Sequence, residues 1–327
     1  MKRNLLIVTD HITHSSSNSI YELAVAVAEN KSNVNIWVCS KGIAANIDFF
    51  NAVPEASIYG MLINSSFSFH PLGLSFLESS VRMNRDEIEI VLVRMPQPLD
   101  KIFLRSLTAI VPHEKIINQP DGTIETSSKA FLLTIAHLCP ELSICRTPQE
   151  AIKLSQSKEI VLKPLYSYGG IGIVRLSKEY YWEEDQKYSA QEAIDRLSGR
   201  TFPMLSMKYL QNVALGDKRT IVVNRTILGS ALRLPPMGSW ICNVASGGHA
   251  ILAQADEEEL IIERELTPLL YEKGVIMYGF DTLVDDNGKR VLSEINTLSI
   301  GGLGPLSELS GKPILQQTAK LLWEYLE

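Results

Sequence analysis

The stretch Phe280-Asp281-Thr282-Leu283-Val284-Asp285-Asp286-Asn287-Gly288-Lys289-Arg290-Val291-Leu292-Ser293-Glu294-Ile295-Asn296 admits essentially one local structure. Asn287-Gly288 between two alternating apolar runs predicts a β-hairpin with a two-residue turn. With the turn there, Asp286 faces Lys289, and counting back along the antiparallel ladder sets Asp281 opposite Glu294. Asn296 falls on the same face, one step further, because side chains alternate with period 2. Opposed side chains have Cβ atoms about 5 Å apart, and like charges so placed destabilise a sheet. A divalent cation between the carboxylates resolves that conflict; a solvent-facing pair on an edge hairpin is the plainer arrangement. Two carboxylates and an amide oxygen form a hard, all-oxygen donor set, suited to Mg²⁺ (or Mn²⁺) shared with phosphates better than to zinc or copper.

The rest of the chain divides by pattern. Its first third alternates strand and helix: residues 5–9, 34–40 and 90–94 read as strands, 19–28 and 99–110 as helices. Such alternation predicts an α/β architecture, a parallel sheet covered by helices. Residues 64–80, rich in Ser, Phe and Gly, read as a long surface loop or a poorly ordered insertion. Asn118-Gln119-Pro120-Asp121-Gly122 is turn chemistry at a boundary, and a helix over about 127–138 follows. Thr147-Pro148-Gln149-Glu150 reads as a capping box with proline at the first helical position. Residues 160–165 and 173–176 form strands around a glycine loop. From residue 204 strands dominate, at 204–210, 219–223, 227–232 and in the hairpin, with helices over 256–272 and 313–326. The expected units are 1–119, 120–200 and 201–327.

At 327 residues the chain is long enough for two or three well-buried domains. With 45% apolar and 21% charged residues the composition is that of a soluble globular protein. A net charge of -6 with no basic stripe argues against nucleic acid as a partner. The basic and then apolar start stops at Thr9-Asp10, so it reads as a first buried strand, not as a secretory signal. No stretch has the length of a membrane span. Cys39, Cys139, Cys145 and Cys242 show no metal-type or redox-type spacing and read as reduced thiols of a cytoplasmic protein.

In Val161-Leu162-Lys163-Pro164-Leu165-Tyr166-Ser167-Tyr168-Gly169-Gly170-Ile171-Gly172-Ile173, a lysine at a strand end precedes a glycine loop. Glycines let backbone N–H groups approach a phosphate, and the ammonium supplies matching charge. The loop joins two strands without opening a helix, so it is neither a Walker A loop nor a Rossmann fingerprint. Arg219 and Arg233 carry the fork geometry that suits carboxylate and phosphate. A three-residue loop, Asn224-Arg225-Thr226, puts both on one face, and a two-residue loop, Asn224-Arg225, does not. Asp10 and Ser15 to Ser17 follow the first strand at its carboxyl end, where α/β sheets commonly bind ligands.

The order of these parts resembles the ATP-grasp superfamily, and in detail the chain is similar to bacterial glutathione synthetases. Val93-Arg94-Met95-Pro96-Gln97-Pro98-Leu99-Asp100 resembles that family's Arg-x-x-Pro-Pro-Phe-Asp segment, and Asn118-Gln119-Pro120 with Lys129 its Asn-x-Pro and lysine. The glycine loop, Gly216-Asp217-Lys218-Arg219, Leu232-Arg233-Leu234-Pro235, Asn243-Val244-Ala245-Ser246-Gly247-Gly248 and Glu294-Ile295-Asn296 follow in order.

The resemblance implies an ATP-grasp fold: an N-terminal substrate-binding unit with a parallel sheet, a small lid unit, and a C-terminal catalytic unit with an antiparallel sheet. It implies an ATP-dependent ligase that activates a carboxylate as an acyl phosphate for attack by an amine, with γ-glutamylcysteine and glycine as first candidates. Lys129 and Lys163 would hold the nucleotide phosphates, and Ser167, Tyr168, Gly169, Gly170 and Gly172 would close over them. Met207, Lys208, Tyr209 and Leu210 would line the adenine pocket. Asp281, Glu294 and Asn296 would hold Mg²⁺, while Arg219 and Arg233 would meet the substrate carboxylate and the transferring phosphate. Asp10, Ser17, Asn243, Ser299 and Gly301 would contact substrate, residues 234–249 would form a mobile lid, and the enzyme would be a homo-oligomer.

The match fails where substrates are read. Ile241-Cys242-Asn243 replaces the family's Arg-Gly-Asn, Thr297-Leu298-Ser299-Ile300-Gly301-Gly302 replaces Val-Thr-Ser-Pro-Thr, and Ile171 stands where arginine is frequent. These departures leave open an amide ligase for another amino acid or peptide, or a nucleotide-binding module without ligase activity.

Overall fold

The computed structural model describes residues 3–184, 186–236, 240 and 249–327. Cys242, Asn243, the run at 241–243 and the centre of the expected lid therefore lie outside the described residues.

The described strands form three sheets. The first contains β1 (Arg3–Thr9), β2 (Val34–Ser40), β3 (Ile58–Leu62), β4 (Val81–Met83), β5 (Ile88–Val93) and β6 (Ile116–Ile117), in the order β4-β3-β2-β1-β5-β6. Its centre is parallel, as the alternating pattern requires, but β3 and β4 run antiparallel at one edge. The strands are nearly continuous apolar runs because both faces are covered. The helix Ile20–Asn30 buries Ile20, Leu23, Ala24 and Val27 at helical spacing. The last helix, Ile314–Leu326, packs back onto it, with the Trp323 indole N–H donating to the Val27 carbonyl at 3.2 Å.

Two expected features of this region are corrected. Residues 64–80 include a helix, Leu74–Ser79, and their aromatics are core: Phe67 and Phe76 are buried and pack with Tyr21. A Ser- and Gly-rich composition masked these two anchors. The helix expected over 127–138 is a 3₁₀ segment, Lys129–Leu138, broken at Ile135. Its buried Lys129, Leu132, Ile135 and Leu138 recur every third residue, the period of a 3₁₀ turn.

The second sheet is antiparallel and contains β7 (Leu142–Cys145), β8 (Ile160–Pro164), β9 (Val174–Leu176), β10 (Tyr180–Glu183), β11 (Gln186–Ser189) and β12 (Met204–Lys208). Its order is β11-β10-β9-β8-β12-β7, so a strand beyond residue 200 lies inside it. Thr147 caps the helix Pro148–Ser155 by accepting from the Glu150 N–H at 3.2 Å. The reciprocal half of the expected box is redirected, as the Glu150 carboxylate accepts from Arg146 N–H.

The third sheet, also antiparallel, has the order β15-β14-β13-β16-β17, with β13 (Asp217–Val223), β14 (Thr226–Leu234), β15 (His249–Ala253), β16 (Met277–Val284) and β17 (Arg290–Asn296). Asn118 ties it to the first sheet. Its side-chain amide donates to the carbonyls of Met277 and Thr297, at 2.7 Å each, and accepts from the N–H groups of Ile276 and Met277, at 2.9 Å each. A buried amide with every site used holds its surroundings to one geometry. Cys39, Cys139 and Cys145 are free thiols, and no described helix is long and apolar enough to cross a membrane.

Candidate functional site

Two β-bulges set the register of the charged residues. The hairpin of β16 and β17 does not close with the expected two-residue turn. Asp285 N–H donates to the Lys289 carbonyl at 2.7 Å, leaving Asp286-Asn287-Gly288 as a three-residue loop. The Asp285 carboxylate organises it by accepting from the N–H groups of Asn287 and Lys289. Asp286, expected opposite Lys289, instead binds Lys208 at 2.6 Å and Gln211 N–H at 3.1 Å. The longer loop shifts the ladder by one residue, pairing Thr282 with Leu292. A bulge at Ser293 then shifts it back, so that Asp281 pairs with Glu294.

The hairpin of β13 and β14 uses the same device. It closes with the two-residue loop Asn224-Arg225, both residues at positive φ. That turn alone would place Arg219 and Arg233 on opposite faces. A bulge at Leu228 moves the pairing by one, from Val222–Ile227 to Ile221–Gly229, and returns the two arginines to one face.

The result is a charged lattice across three strands. Arg219 lies opposite Asp281, and Arg233 lies opposite Asp217. Arg219 holds Asp281 with two hydrogen bonds, of 2.7 and 2.6 Å, and Arg233 reaches the same carboxylate at 2.9 Å. Arg233 also holds Asp217 through bonds of 2.8 and 2.5 Å. Burial alone would raise the pKa of Asp281, but the two guanidinium groups outweigh it and hold the carboxyl well below its ordinary range. Burial pushes Asp217 up to about 6, against the pull of Arg233. Lys218, on the opposite face, is spent structurally, in ion pairs to Asp256 at 3.0 Å and Glu259 at 2.6 Å.

Lys129 and Lys163 reach the same place from the second sheet and the 3₁₀ segment. The Lys129 ammonium lies 3.3 Å from Glu294 and donates to the Ser167 carbonyl at 2.5 Å. Lys163 is buried and donates to the carbonyl of the bulged Ser293 at 3.1 Å. Its pKa is lowered by burial, with Glu294 opposing the shift. The loop between β8 and β9 needs its glycines, as Gly169, Gly170 and Gly172 all have positive φ.

A cleft of about 600 Å³ joins these groups. Lys163, Tyr168, Gly169 and Gly170 line one side, Met207 to Leu210 another, and Arg219, Arg233, Asp281, Glu294, Asn296, Ser299 and Gly301 the floor. A cavity of about 210 Å³ continues from it past Lys129, Ser167 and Ser299 to Met95 and Leu298. Asp10 lines a further pocket beyond these, described below. Two expected residues lie off these cavities. Gly172 turns toward Pro164 and gives its carbonyl to Arg200. Ser17 is exposed and bonded to Ser15, and its neighbour Asn18 lines the cavity instead. A separate cavity of about 410 Å³ lies at the opposite end of the first sheet, beside the starts of β1, β2 and β5 and Trp323, away from the charged lattice.

Reading the sequence missed several lining residues. Leu283 could have been found from period 2, being two residues beyond Asp281 on the same strand face. Val161 and Ile173 flank the glycine loop, and Val213 and Trp240 carry no local signal. Nor was Arg175 foreseeable: its guanidinium stacks 3.6 Å from the centre of the Tyr209 ring and is anchored by Glu159 at 2.6 Å, backing the Met207 to Leu210 wall.

The donor set fits a hard cation. Asp281 and Glu294 are opposed, and the Asn296 side-chain N–H donates to Asp281 Oδ2 at 3.4 Å, which places the amide beside the same carboxylate. No described cluster of three or more His, Cys, Asp or Glu side chains offers a softer or fully carboxylate alternative.

Comparison with known proteins identifies the family. Residues 128–311 match the family described as prokaryotic glutathione synthetase, ATP-grasp domain. Glutathione synthetase of Mesorhizobium japonicum is 29% identical over 257 residues, covering 77% of each chain. That of Prochlorococcus marinus subsp. pastoris is 24% identical over 327 residues, covering 98% of this chain and 99% of the other. Among solved structures, D-cycloserine synthetase superposes with a TM-score of 0.67 at 13% identity, covering 99% of this chain and 100% of that one. D-alanyl-alanine synthetase A from Vibrio cholerae does so with a TM-score of 0.58 at 11% identity, covering 100% and 99%. These two likenesses concern the fold. The family match covers more than half of the chain, and the chain belongs to the ATP-grasp family of prokaryotic glutathione synthetases, ATP-dependent carbon–nitrogen ligases.

Proposed function

We propose that the protein joins a carboxylate to an amine by way of an acyl phosphate, using ATP in the 600 Å³ cleft and Mg²⁺ at Asp281, Glu294 and Asn296. The observation that carries this reading is the lattice itself. Four cations, Lys129, Lys163, Arg219 and Arg233, face three carboxylates, Asp217, Asp281 and Glu294, among the described residues of the site. The excess positive charge favours a polyphosphate over a neutral ligand. When bound, the metal would neutralise charge on the phosphates as the phosphoryl group moves.

In this reading Lys163 and the backbone of residues 168–170 hold the phosphates, and Met207, Tyr209 and Leu210 enclose the base. Lys208 differs: its side chain belongs to Asp286, so only its backbone faces the pocket. Arg219 and Arg233 hold Asp281 before nucleotide arrives and orient the substrate carboxylate and the transferring phosphate afterwards. The working division is 1–119 for substrate, 120–200 as lid and 201–327 for catalysis, in a cytoplasmic homo-oligomer. γ-Glutamylcysteine and glycine are the reference substrates, because the relatives are named glutathione synthetases. Leu298, Ser299 and Ile171, where the chain departs from the family pattern, favour a different amino acid or peptide pair.

The test is ADP release with Mg-ATP across carboxylate donors and amines, with product masses recorded. ADP formation that depends on both substrates and yields an amide supports the reading. Binding of Mg-ATP with no turnover on a broad panel favours a nucleotide-binding module, and no binding of Mg-ATP overturns the proposal.

A further inference from the structure

The cleft leads into a second chamber and then a third. The 600 Å³ cleft shares Tyr168, Glu294, Asn296 and Ser299 with the 210 Å³ cavity. That cavity in turn shares Thr13, Met95, Pro96, Gln97 and Leu298 with a pocket of about 130 Å³. This inner pocket has the volume of roughly four water molecules, the scale of an aliphatic side chain. Its lining is mostly apolar, from Met95, Pro98, Leu99, Phe103 and Leu298, with Thr13 and Gln97 as polar neighbours on the side shared with the 210 Å³ cavity. Met95 and Leu298 stand where the two chambers meet, and both are buried against the first sheet.

The rim of the pocket carries opposite charges. β1 and β2 are parallel neighbours paired to their ends, Thr9 with Ser40, and the next residues are Asp10 and Lys41. Lys41 N–H donates to the Thr9 carbonyl at 2.8 Å, which keeps the two chain ends side by side. Asp10 uses Oδ1 to accept from Ile12 N–H at 3.3 Å, and its Oδ2 has no hydrogen-bond partner among the described residues. The Lys41 ammonium makes no ion pair among the described residues, although Asp10 lines the same pocket. Asp100, also on the rim, is committed to capping the helix Lys101–Ser106. By contrast, the cations at the chemistry are held by the protein: Lys129, Arg219 and Arg233 by carboxylates, Lys163 by a carbonyl.

We propose that the inner pocket is the acceptor subsite and takes a free α-amino acid with an apolar side chain. This rests on the ligase reading above. The side chain lies between Met95 and Leu298, the carboxylate meets Lys41, and the amino group, steadied by Asp10, faces the 210 Å³ cavity where the acyl phosphate forms. There the amine nitrogen attacks the acyl carbon. The C–N bond forms, the C–O bond to phosphorus-bearing oxygen breaks, phosphate leaves with the electron pair, and the proton lost from nitrogen passes to water. A charged side chain has no partner between Met95 and Leu298 and is rejected by its desolvation cost, whereas glycine leaves the apolar walls uncovered.

Calorimetry on the full chain with Mg²⁺ and a non-hydrolysable ATP analogue tests this, with leucine, methionine, glycine, aspartate, leucinamide and N-acetylleucine as probes. Leucine and methionine should bind at least about tenfold tighter than glycine, the expected return for burying such a side chain. Aspartate, leucinamide and N-acetylleucine should all bind more weakly than leucine. Lys41→Gln, an exposed change that leaves the fold intact, should weaken leucine a few-fold and leave leucinamide unchanged. Leu298→Asn should narrow the preference for leucine over glycine. Equal or tighter binding of glycine or aspartate, no binding of any amino acid, or a Lys41→Gln variant that binds leucine normally overturns the inference. Binding of the nucleotide is read in the same experiment, and its absence overturns the ligase reading itself.

Discussion

At the scale of single residues, the lattice decides which substitutions are informative. Asp281 compensates two guanidinium groups, so Asp281→Asn leaves buried positive charge unpaired, a loss of order 3–5 kcal/mol, and confuses chemistry with folding. Among the described residues Glu294 forms an ion pair only with Lys129, and its side chain is 22% exposed. Glu294→Gln should therefore abolish ADP release at a smaller cost in stability than Asp281→Asn, since the one ammonium it strands keeps its hydrogen bond to the Ser167 carbonyl, as read by denaturant melts alongside turnover. Retained turnover would remove Glu294 from the metal site. A second residue-scale effect is pH-dependent. His14 is held between the Tyr21 hydroxyl and the Thr9 hydroxyl, each at 2.9 Å. Burial, with help from His11 and Arg94, lowers its pKa to about 4. The folded protein then refuses a proton that the unfolded chain accepts below pH 6.5, so this contribution is complete above 6.5 and is lost as pH falls toward 4. Asp217, raised to about 6, slopes the other way over pH 4–6. The difference between wild type and His14→Gln isolates the histidine: the wild type should lose more melting temperature than the variant between pH 7 and pH 4.5.

At the scale of elements, the site depends on backbone detail that side-chain patterns conceal. Alternation and the Asn287-Gly288 signal placed the β16–β17 hairpin and opposed Asp281 to Glu294, and the central parallel strands followed from their apolar runs. The opposition was reached through the wrong intermediate step, since a longer loop and the bulge at Ser293 cancel each other. Asp285, whose carboxylate captures two backbone N–H groups, makes the longer loop, and no periodicity argument sees it. Likewise, the choice between two turn lengths at Asn224 missed a third solution, a short turn corrected by a bulge at Leu228. Gly216 shows how tightly these strands are set. It has positive φ, and a Cβ there would sit 2.7 Å from the Arg233 carbonyl oxygen. Gly216→Ala should cost about 1–3 kcal/mol through conformation and displace Arg233. Denaturant melts check the first effect and weakened substrate affinity the second; a variant as stable and active as wild type would show that β14 yields without consequence.

At the scale of the whole molecule, the cleft and the 210 Å³ cavity that continues from it are together assembled from all three sheets, so their occupation should stabilise that arrangement. Lys163 and the glycine loop come from the second sheet, Arg219, Arg233, Asp281 and Glu294 from the third, and Met95 from the end of the first. Besides the Asn118 and Lys163 contacts, two links at the glycine loop join the sheets. Lys101, beside the first sheet, donates to the Tyr166 hydroxyl at 3.2 Å, and Lys129 joins the glycine loop to Glu294. The loop itself remains open to solvent, with Tyr168 51% and Ile171 61% exposed. In the proposed reading a polyphosphate alone meets the cations but also the Glu294 and Asp281 carboxylates, and Mg²⁺ held by those carboxylates would offset that repulsion. ATP with Mg²⁺ should therefore raise the melting temperature far more than ATP with a chelator, by the equivalent of about 2.7 kcal/mol at one hundred times Kd. It should also slow cleavage by chymotrypsin at Tyr168, because closing the loop over phosphate buries that ring. Glu294→Gln should lose the metal-dependent part of both responses and keep the weaker nucleotide-only part. Equal stabilisation with and without Mg²⁺ would place the nucleotide elsewhere than beside the paired carboxylates.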